Sequence, residues 1–149
     1  IVNGVRPLYA SLDEWRIVTN LPPQPIEELG KIYYKSPYLF VHERFKGLHI
    51  IDNSDPENPA AIGFIQIFGS EDIAINGTIM YADNYTDFVV IDISDIQNVR
   101  EVNRLENFYS DKKNTFPNGY SGHFECVNSD LGVVVGWEEA ELLEPKCLR

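Results

Sequence analysis

Short apolar runs separated by turn residues make up most of the chain beyond residue 30. The runs are rich in β-branched and aromatic side chains and are bounded by Gly, Pro, Asn, Asp and Ser, which is typical of strands in a pleated sheet. Asn76-Gly77, between two of these runs, is the strongest short-range signal for a β-hairpin. The pattern therefore predicts a mainly β fold built from antiparallel sheets. The predicted strands cover residues 31–34, 38–41, 48–52, 61–68, 73–75, 79–82 and 88–92.

The second part of this strand series repeats the first. Residues 31–41 align with residues 72–82 at an offset of 41, and residues 48–55 align with residues 88–95 at an offset of 40. The difference of one residue falls in the loop between strands, where an insertion costs little. A period near 40 with three or four strands per unit is typical of propeller blades and related β arrays.

The end of each repeat carries a family resemblance. The segments LHIIDNSDPENP (residues 48–59) and FVVIDISD (residues 88–95) resemble the LVIVD repeat, an apolar strand that ends in Asp and is followed by a Ser-Asp-Pro-x-Asn-Pro turn. The second copy has Ile96 and Val99 where the prolines would stand. It keeps the polar positions Asp92, Ser94, Asp95 and Asn98.

The resemblance covers about residues 31–102 and implies a fold and a location rather than an activity. It implies a β-propeller-like repeat array with two clear blades, in an exported bacterial protein of the periplasm or an outer-membrane lipoprotein. A closed propeller needs at least four blades, so two blades leave the array open. The chain starts at Ile1 rather than Met, and we therefore expect that an upstream segment has been removed.

The flanking segments give weaker patterns. Ser11 to Glu14 fits a capping box, which predicts one short N-terminal helix over residues 12–18, and a Pro-rich connector follows over residues 20–28. In the last third, residues 122–127 and 132–137 are predicted strands of a terminal β-hairpin or of a third, degenerate unit. We therefore divide one structural domain into three segments, 1–30, 31–102 and 103–149.

Charge narrows the choice of partners. The 149-residue chain has 12 basic and 23 acidic residues and a net charge of −11, which repels nucleic acid and anionic membrane surfaces. No apolar run approaches the roughly 20 residues that a membrane span needs, so we expect a membrane association only through an upstream lipid anchor.

Because an open array exposes sheet edges, we expect either self-association or further chain beyond the C-terminus.

The repeated turns contain the first candidate site residues. Carboxylate and hydroxyl oxygens at the strand ends suit either a calcium ion or a turn in which side chains accept backbone N–H bonds. No Asp-x-Asp-x-Asp-Gly pattern supports calcium, so the turn interpretation is favoured. The repeat turn residues are Asp52, Ser54, Asp55, Asp92, Ser94 and Asp95.

Histidines and neighbouring acids are the groups suited to acid–base chemistry at neutral pH. His123 and Glu125 would share one strand face, where they could bind a metal or shuttle a proton. No third ligand follows in a matching pattern, and no nucleophile elbow, phosphate loop or dinucleotide fingerprint is present, so the sequence assigns no catalytic residue, metal or cofactor. His42-Glu43 and His49 are the other candidates.

Aromatic residues and cysteines allow two interpretations each. Aromatic rings can stack on sugars, so Phe45, Tyr81, Tyr85 and Trp137 could line a sugar-binding surface together with Asn84. In a small β fold such residues more often fill space between the sheets, and we favour that interpretation here. Cys126 and Cys147 form either a disulfide in an oxidising compartment or two buried thiols.

These observations predict a non-catalytic binding or scaffold module of an exported envelope protein. Its ligand would be a protein or a carbohydrate. The alternative is a hydrolase or metal-dependent enzyme that uses the region of His123 and Glu125.

Overall fold

The computed structural model describes residues 1–109 and 116–149. The chain divides into a repeat unit, residues 16–109, and a terminal unit formed by residues 1–15 together with 110–149. Within the described residues the structure is mainly β, as predicted, and no helix there is long and apolar enough to cross a membrane. The expectation that the chain forms one domain stays a prediction.

The strands of the repeat unit form two antiparallel sheets. The first sheet has the order β2-β6-β5-β4-β3 and the second has the order β10-β9-β8-β7. The strands of the first sheet are β2 (Thr19–Leu21), β3 (Leu29–Lys35), β4 (Tyr38–Glu43), β5 (Gly47–Asp52) and β6 (Ala60–Gln66). Those of the second sheet are β7 (Ile73–Asn76), β8 (Ile79–Asn84), β9 (Asp87–Asp92) and β10 (Arg100–Leu105).

The strands of the two sheets pair in equivalent registers. Asp52 lies opposite Ala60 in the first sheet, and Asp92 lies opposite Arg100 in the second. Each ladder then shifts by one residue at the same place, before Gly63 in the first sheet and before Asn103 in the second. The sequence repeat is therefore a structural repeat. A propeller-like arrangement of the sheets stays a prediction.

One hydrophobic core lies between the two sheets. Strand alternation places one set of aliphatic and aromatic side chains of each sheet on the shared face. Burial of each Val, Leu, Ile, Phe or Met side chain there contributes about 1.5–3 kcal/mol. The first sheet contributes Phe40, Leu48, Ile50 and Ile65, and the second contributes Ile73, Met80, Ala82, Val89 and Ile91.

The predicted N-terminal helix over residues 12–18 is wrong. Residues 12–16 form turns, in which the backbone N–H groups of Glu14 and Trp15 both donate to Ser11 O, at 3.2 and 3.1 Å. Strand β1 (Val2–Ala10) ends just before this turn and β2 begins at Thr19. The segment between them is too short for a stable helix, since an isolated first turn is costly to nucleate.

The terminal unit is a sheet with the order β12-β1-β11-β13. Strand β12 (Val133–Leu142) pairs antiparallel with β1 along its whole length, while β11 (His123–Phe124) lies parallel on the other side of β1 and pairs with β13 (Cys147–Leu148). The predicted terminal hairpin is therefore wrong, because β1 separates β11 from β12. A single 3₁₀ turn, Ser129–Leu131, lies between these two strands in sequence.

Candidate functional site

The repeated aspartates at the strand ends shape the turns that follow them. Asp52 Oδ1 accepts the backbone N–H of Ser54 at 2.9 Å, and Asp92 Oδ1 accepts that of Ser94 at 2.8 Å. These backbone hydrogen bonds hold the pKa of both carboxyl groups below the ordinary value. The second aspartate of each turn acts in the same way, Asp55 on Glu57 N and Asp95 on Gln97 N, both at 3.2 Å.

A buried carboxylate anchors the tip of the β4–β5 hairpin. Glu43 accepts the backbone N–H of Glu27 at 2.8 Å and that of Glu28, both from the segment that leads into β3. His49 Nε2 lies 2.9 Å from Glu43 Oε1, and both side chains are almost completely buried. Burial alone would raise the pKa of Glu43, but these hydrogen bonds outweigh it and the pKa is lowered.

Asp83 anchors the tip of the β8–β9 hairpin by a similar device. Its Oδ1 accepts the backbone N–H groups of Glu71 and Asp72, each at 3.0 Å, from the segment that leads into β7. Ser70 Oγ donates to the same carboxylate at 3.3 Å, and His42 Nε2 lies 3.0 Å from Ser70 Oγ. The two repeats therefore tie a hairpin tip to the incoming chain with a buried acid.

His42, Ser70 and Asp83 are the residue types of a hydrolase triad, but their side chains are hydrogen-bonded to one another in a different order. In a triad the histidine lies between the nucleophile and the acid, whereas here the serine lies between them. Ser70 and His42 are also buried, so a substrate cannot reach them. Desolvation by this burial lowers the pKa of His42, which favours its neutral form.

A third buried acid, Asp87, holds two arginines. Its Oδ2 accepts from Arg16 Nε at 2.8 Å and from Arg104 Nη1 at 2.7 Å, and its Oδ1 accepts the backbone N–H of Asn107 at 2.9 Å. Burial opposes ionisation of this acid, but the hydrogen bonds from Arg16, Asn107 and Arg104 lower its pKa overall. The cluster therefore ties the start of the repeat unit, at Arg16, and its end, at Arg104 and Asn107, to the β8–β9 hairpin.

Sequence reasoning missed the roles of Asp83 and Asp87 and recorded Glu43 only as a neighbour of His42. Their shared signal is an acid next to a hairpin tip within a series of apolar strands. That signal is weak, because most acids at turns are solvated. Burial and the incoming backbone donors distinguish these three, and both require the tertiary structure.

The second sheet presents an aromatic surface on the side that faces away from the first sheet. We call this surface the outward face and define it by Tyr81, Phe88, Val90, Leu105 and Phe108. The rings of Tyr81 and Phe88 stack with centroids 6.0 Å apart, and the Phe88 and Phe108 rings lie 5.7 Å apart. Leu105 and Phe108 are exposed, while the other three side chains are half-buried. Contiguous exposed apolar groups of this kind mark interaction surfaces.

Within the repeat unit, the residues considered for sugar binding do not form one surface. Asn84 and Tyr85 are buried, and the Asn84 amide donates to Phe68 O and accepts from Arg104. Tyr81 alone of that set belongs to the outward face. Asn84 and Tyr85 are therefore packed inside the fold and do not line a binding surface.

The histidines do not form a common centre in the repeat unit. His42 lies opposite Leu48 and His49 lies opposite Val41, so the two side chains project from opposite faces of the first sheet. In the terminal unit, His123 is half-buried in β11 and Glu125 is exposed just beyond it. Among residues 1–109 and 116–149, no group of three His, Cys, Asp or Glu side chains is arranged to hold a metal.

The cysteines of the terminal unit form a disulfide. Cys126 and Cys147 are joined with their Cα atoms 5.4 Å apart. The bond links the segment after β11 to the first residue of β13. Backbone hydrogen bonds between Gly122 and Arg149, at 2.7 and 3.0 Å, close the same pairing at its other end.

The chain is thus a repeat-containing β protein in which buried acids hold hairpins in place. The LVIVD repeat family matches the chain at residues 32–66 and again at residues 69–106. Over these two repeats the chain belongs to the LVIVD repeat family, and the resemblance read from the sequence is confirmed. No curated protein and no solved structure matches the chain.

Proposed function

We propose that this protein is a non-catalytic binding or scaffold module whose repeats, in a propeller-like arrangement, present the outward face to a protein or carbohydrate ligand. The observation that carries the proposal is a contrast, within the repeat unit, between the side chains capable of acid–base chemistry and the apolar side chains of the outward face. The groups with acid–base chemistry, His42, Glu43, His49 and Asp83, are buried and hydrogen-bonded within the fold. On the outward face, in contrast, Leu105 and Phe108 are exposed to solvent.

The outward face suits a ligand with an apolar surface. Stacked aromatic rings provide large contact area with few rotatable bonds, so little conformational entropy is lost when a ligand orders them. Sugar rings and apolar protein surfaces both fit such a surface. The net charge of −11 opposes polyanionic ligands, so we propose neither nucleic acid nor an anionic membrane as a partner.

We also propose that the protein acts in the bacterial envelope after export. The LVIVD repeat supports this, because proteins with the repeat are commonly exported. The Cys126–Cys147 disulfide supports it too, since disulfides persist in oxidising compartments. Rapid alkylation of thiols in cells of the source organism, followed by fractionation, tests the proposal. We expect an oxidised protein in the envelope fraction, and a reduced protein in the cytoplasm would contradict it.

The binding proposal is tested with the full chain on a glycan array and against immobilised envelope proteins. The variant Phe108→Glu places a charge on the outward face, and Leu131→Glu places one on an exposed site in the terminal unit. We expect binding to fall at least tenfold for Phe108→Glu and to stay unchanged for Leu131→Glu. Equal binding by wild type and both variants would contradict the assignment of the outward face.

The enzyme alternative has its own decisive variant. A hydrolytic activity that disappears in His123→Ala and in Glu125→Gln would replace the binding proposal with the alternative. Because Glu125 is exposed, Glu125→Gln should leave the fold intact.

A further inference from the structure

The outward face of the second sheet matches, position by position, the face that the first sheet buries. Leu48 lies opposite Ile65 in the first sheet, and at the same register Phe88 lies opposite Leu105 in the second. Leu48 and Ile65 are completely buried between the sheets, whereas Leu105 is 50% exposed. The same correspondence relates Phe40 to Tyr81 and Ile50 to Val90. The second sheet therefore presents a packing surface of the kind that already binds a sheet within this chain.

The first sheet presents the complementary kind of surface at its β3 edge. Within the core, Ile73 and Ile75 of β7 belong to the face that covers the first sheet. The corresponding residues of β3 are Ile32 and Tyr34, which are 64% and 67% exposed. Leu39 lies opposite Tyr34 on β4, faces the same side and is half-buried. We call Ile32, Tyr34 and Leu39 the β3 strip.

We propose that a second copy of this chain docks its β3 strip onto the outward face, so that copies associate head to tail. At the β3 strip, the contact between copies would repeat part of the contact between the two sheets of one copy. This inference rests on the proposed function, because it names the partner of the same surface. Each copy has one outward face and one β3 strip, so the association is heterologous and adds further copies.

The charge of the chain sets the conditions for association. Two copies that each carry a net charge of −11 repel one another at low ionic strength. Salt screens this repulsion and leaves the apolar contact in place. We therefore expect association to increase with protein concentration and to be stronger at about 0.5 M than at about 0.05 M salt.

Sedimentation of the full chain and two matched pairs of variants tests this. Leu105→Glu disables the outward face, and its control is Leu131→Glu, at a leucine 57% exposed in the terminal unit. Ile32→Glu disables the β3 strip, and its control is Ile26→Glu, at an isoleucine 51% exposed outside the strip. We expect the wild type and both controls to exceed the dimer mass as concentration rises. Leu105→Glu and Ile32→Glu should each remain monomeric.

A mixture of the two monomeric variants gives the sharpest result. Leu105→Glu keeps an intact β3 strip and Ile32→Glu keeps an intact outward face, so an equimolar mixture should form a heterodimer and nothing larger. That heterodimer would also show that both variants are folded. A wild type that stays monomeric, an Ile32→Glu variant that associates like wild type, or a mixture that stays monomeric would overturn the inference. Ligand binding, measured at concentrations where the chain is monomeric, tests the proposed function separately.

Discussion

The side-chain amide of Asn20 makes two hydrogen bonds with the main chain of Val99. Asn20 Nδ2 donates to Val99 O at 2.9 Å, and the Val99 N–H donates to Asn20 Oδ1 at 3.1 Å. Asn20 lies on β2 of the first sheet, and Val99 directly precedes β10 of the second, so the pair joins the two sheets. Val99 stands where the LVIVD repeat has a proline, which has no N–H to donate. The departure from the repeat thus supplies the donor.

Asn20→Ala should destabilise the repeat unit by about 1–3 kcal/mol, because it removes both bonds and leaves the backbone of Val99 without this partner. Val99→Pro should also destabilise it, through loss of the donor. Asn118→Ala, at an exposed asparagine, is the control and should change stability by less than about 0.5 kcal/mol. Urea unfolding measures all three. An Asn20→Ala variant as stable as this control would contradict the role of the pair.

Asp87→Asn should cost about 3 kcal/mol, the lower end of the range for breaking a buried ion pair, because it removes the buried charge that Arg16 and Arg104 share while Arg104 keeps its pair with Glu101. Asp92→Asn removes an acid that pairs with the exposed Arg100 at 3.1 Å, and solvent screens that pair. We therefore expect the Asp92 variant to lose far less stability than the Asp87 variant. Free energies of unfolding at neutral pH compare the two variants, and equal losses would sink the argument.

The burial of His42 predicts a pH dependence of stability. Its pKa in the folded protein lies below the ordinary value of 6.5, so the unfolded chain binds the proton more readily. Stability should therefore fall as the pH drops from 6.5 towards the lower pKa of the folded state. The contribution approaches about 1.4 kcal/mol per pH unit for one proton. His42→Gln should lose stability less steeply than wild type in unfolding experiments at pH 7.5 and 5.5. Parallel pH profiles would contradict the prediction.

Gly69 and Gly77 both have positive φ, at 75° and 62°, but differ in their surroundings. A Cβ on Gly69 would lie 2.8 Å from Tyr85 Cα, whereas a Cβ on Gly77 meets nothing within 4 Å. Gly77→Ala should therefore cost only the backbone strain, about 1–2 kcal/mol. Gly69→Ala should cost more, because the chain around Tyr85 must also shift. Thermal unfolding of the two variants measures the difference, and a Gly69→Ala variant no less stable than Gly77→Ala would count against it.

The disulfide makes a prediction for the terminal unit. Cys126→Ser with Cys147→Ser should lower stability by about 3 kcal/mol, the chain-entropy value for a loop of this size. The cysteines are 21 residues apart in sequence. Unfolding of the wild type with a reductant should reproduce the loss. Thiol titration of the denatured, unreduced protein should detect no free thiol, and two free thiols per chain would show that the bond does not form.

Much of the repeat unit can be derived from local sequence. Asn76-Gly77 and the alternating apolar runs predict hairpins, and the 40-residue offset predicts that Asp52 and Asp92 end equivalent strands. The hairpins depend on residues that lie close in the chain, and the repeat recurs at a fixed period, so sequence reasoning can detect both. Strand β2 was missed because Thr19–Leu21 is short and sits beside prolines, where no alternating pattern develops.

Pairing and burial required the tertiary structure. Strand β1 pairs from Val2 opposite Leu142 to Ala10 opposite Val133, and no local signal connects segments so far apart in the chain. The capping box at Ser11 is real as a local preference, but strand pairing on both sides of it limits it to a turn. In the same way, Glu43, Asp83 and Asp87 look like ordinary acids in the sequence. Only the folded chain brings backbone N–H groups and arginines to them in a region that excludes water, and this changes an acid at a turn into a buried anchor.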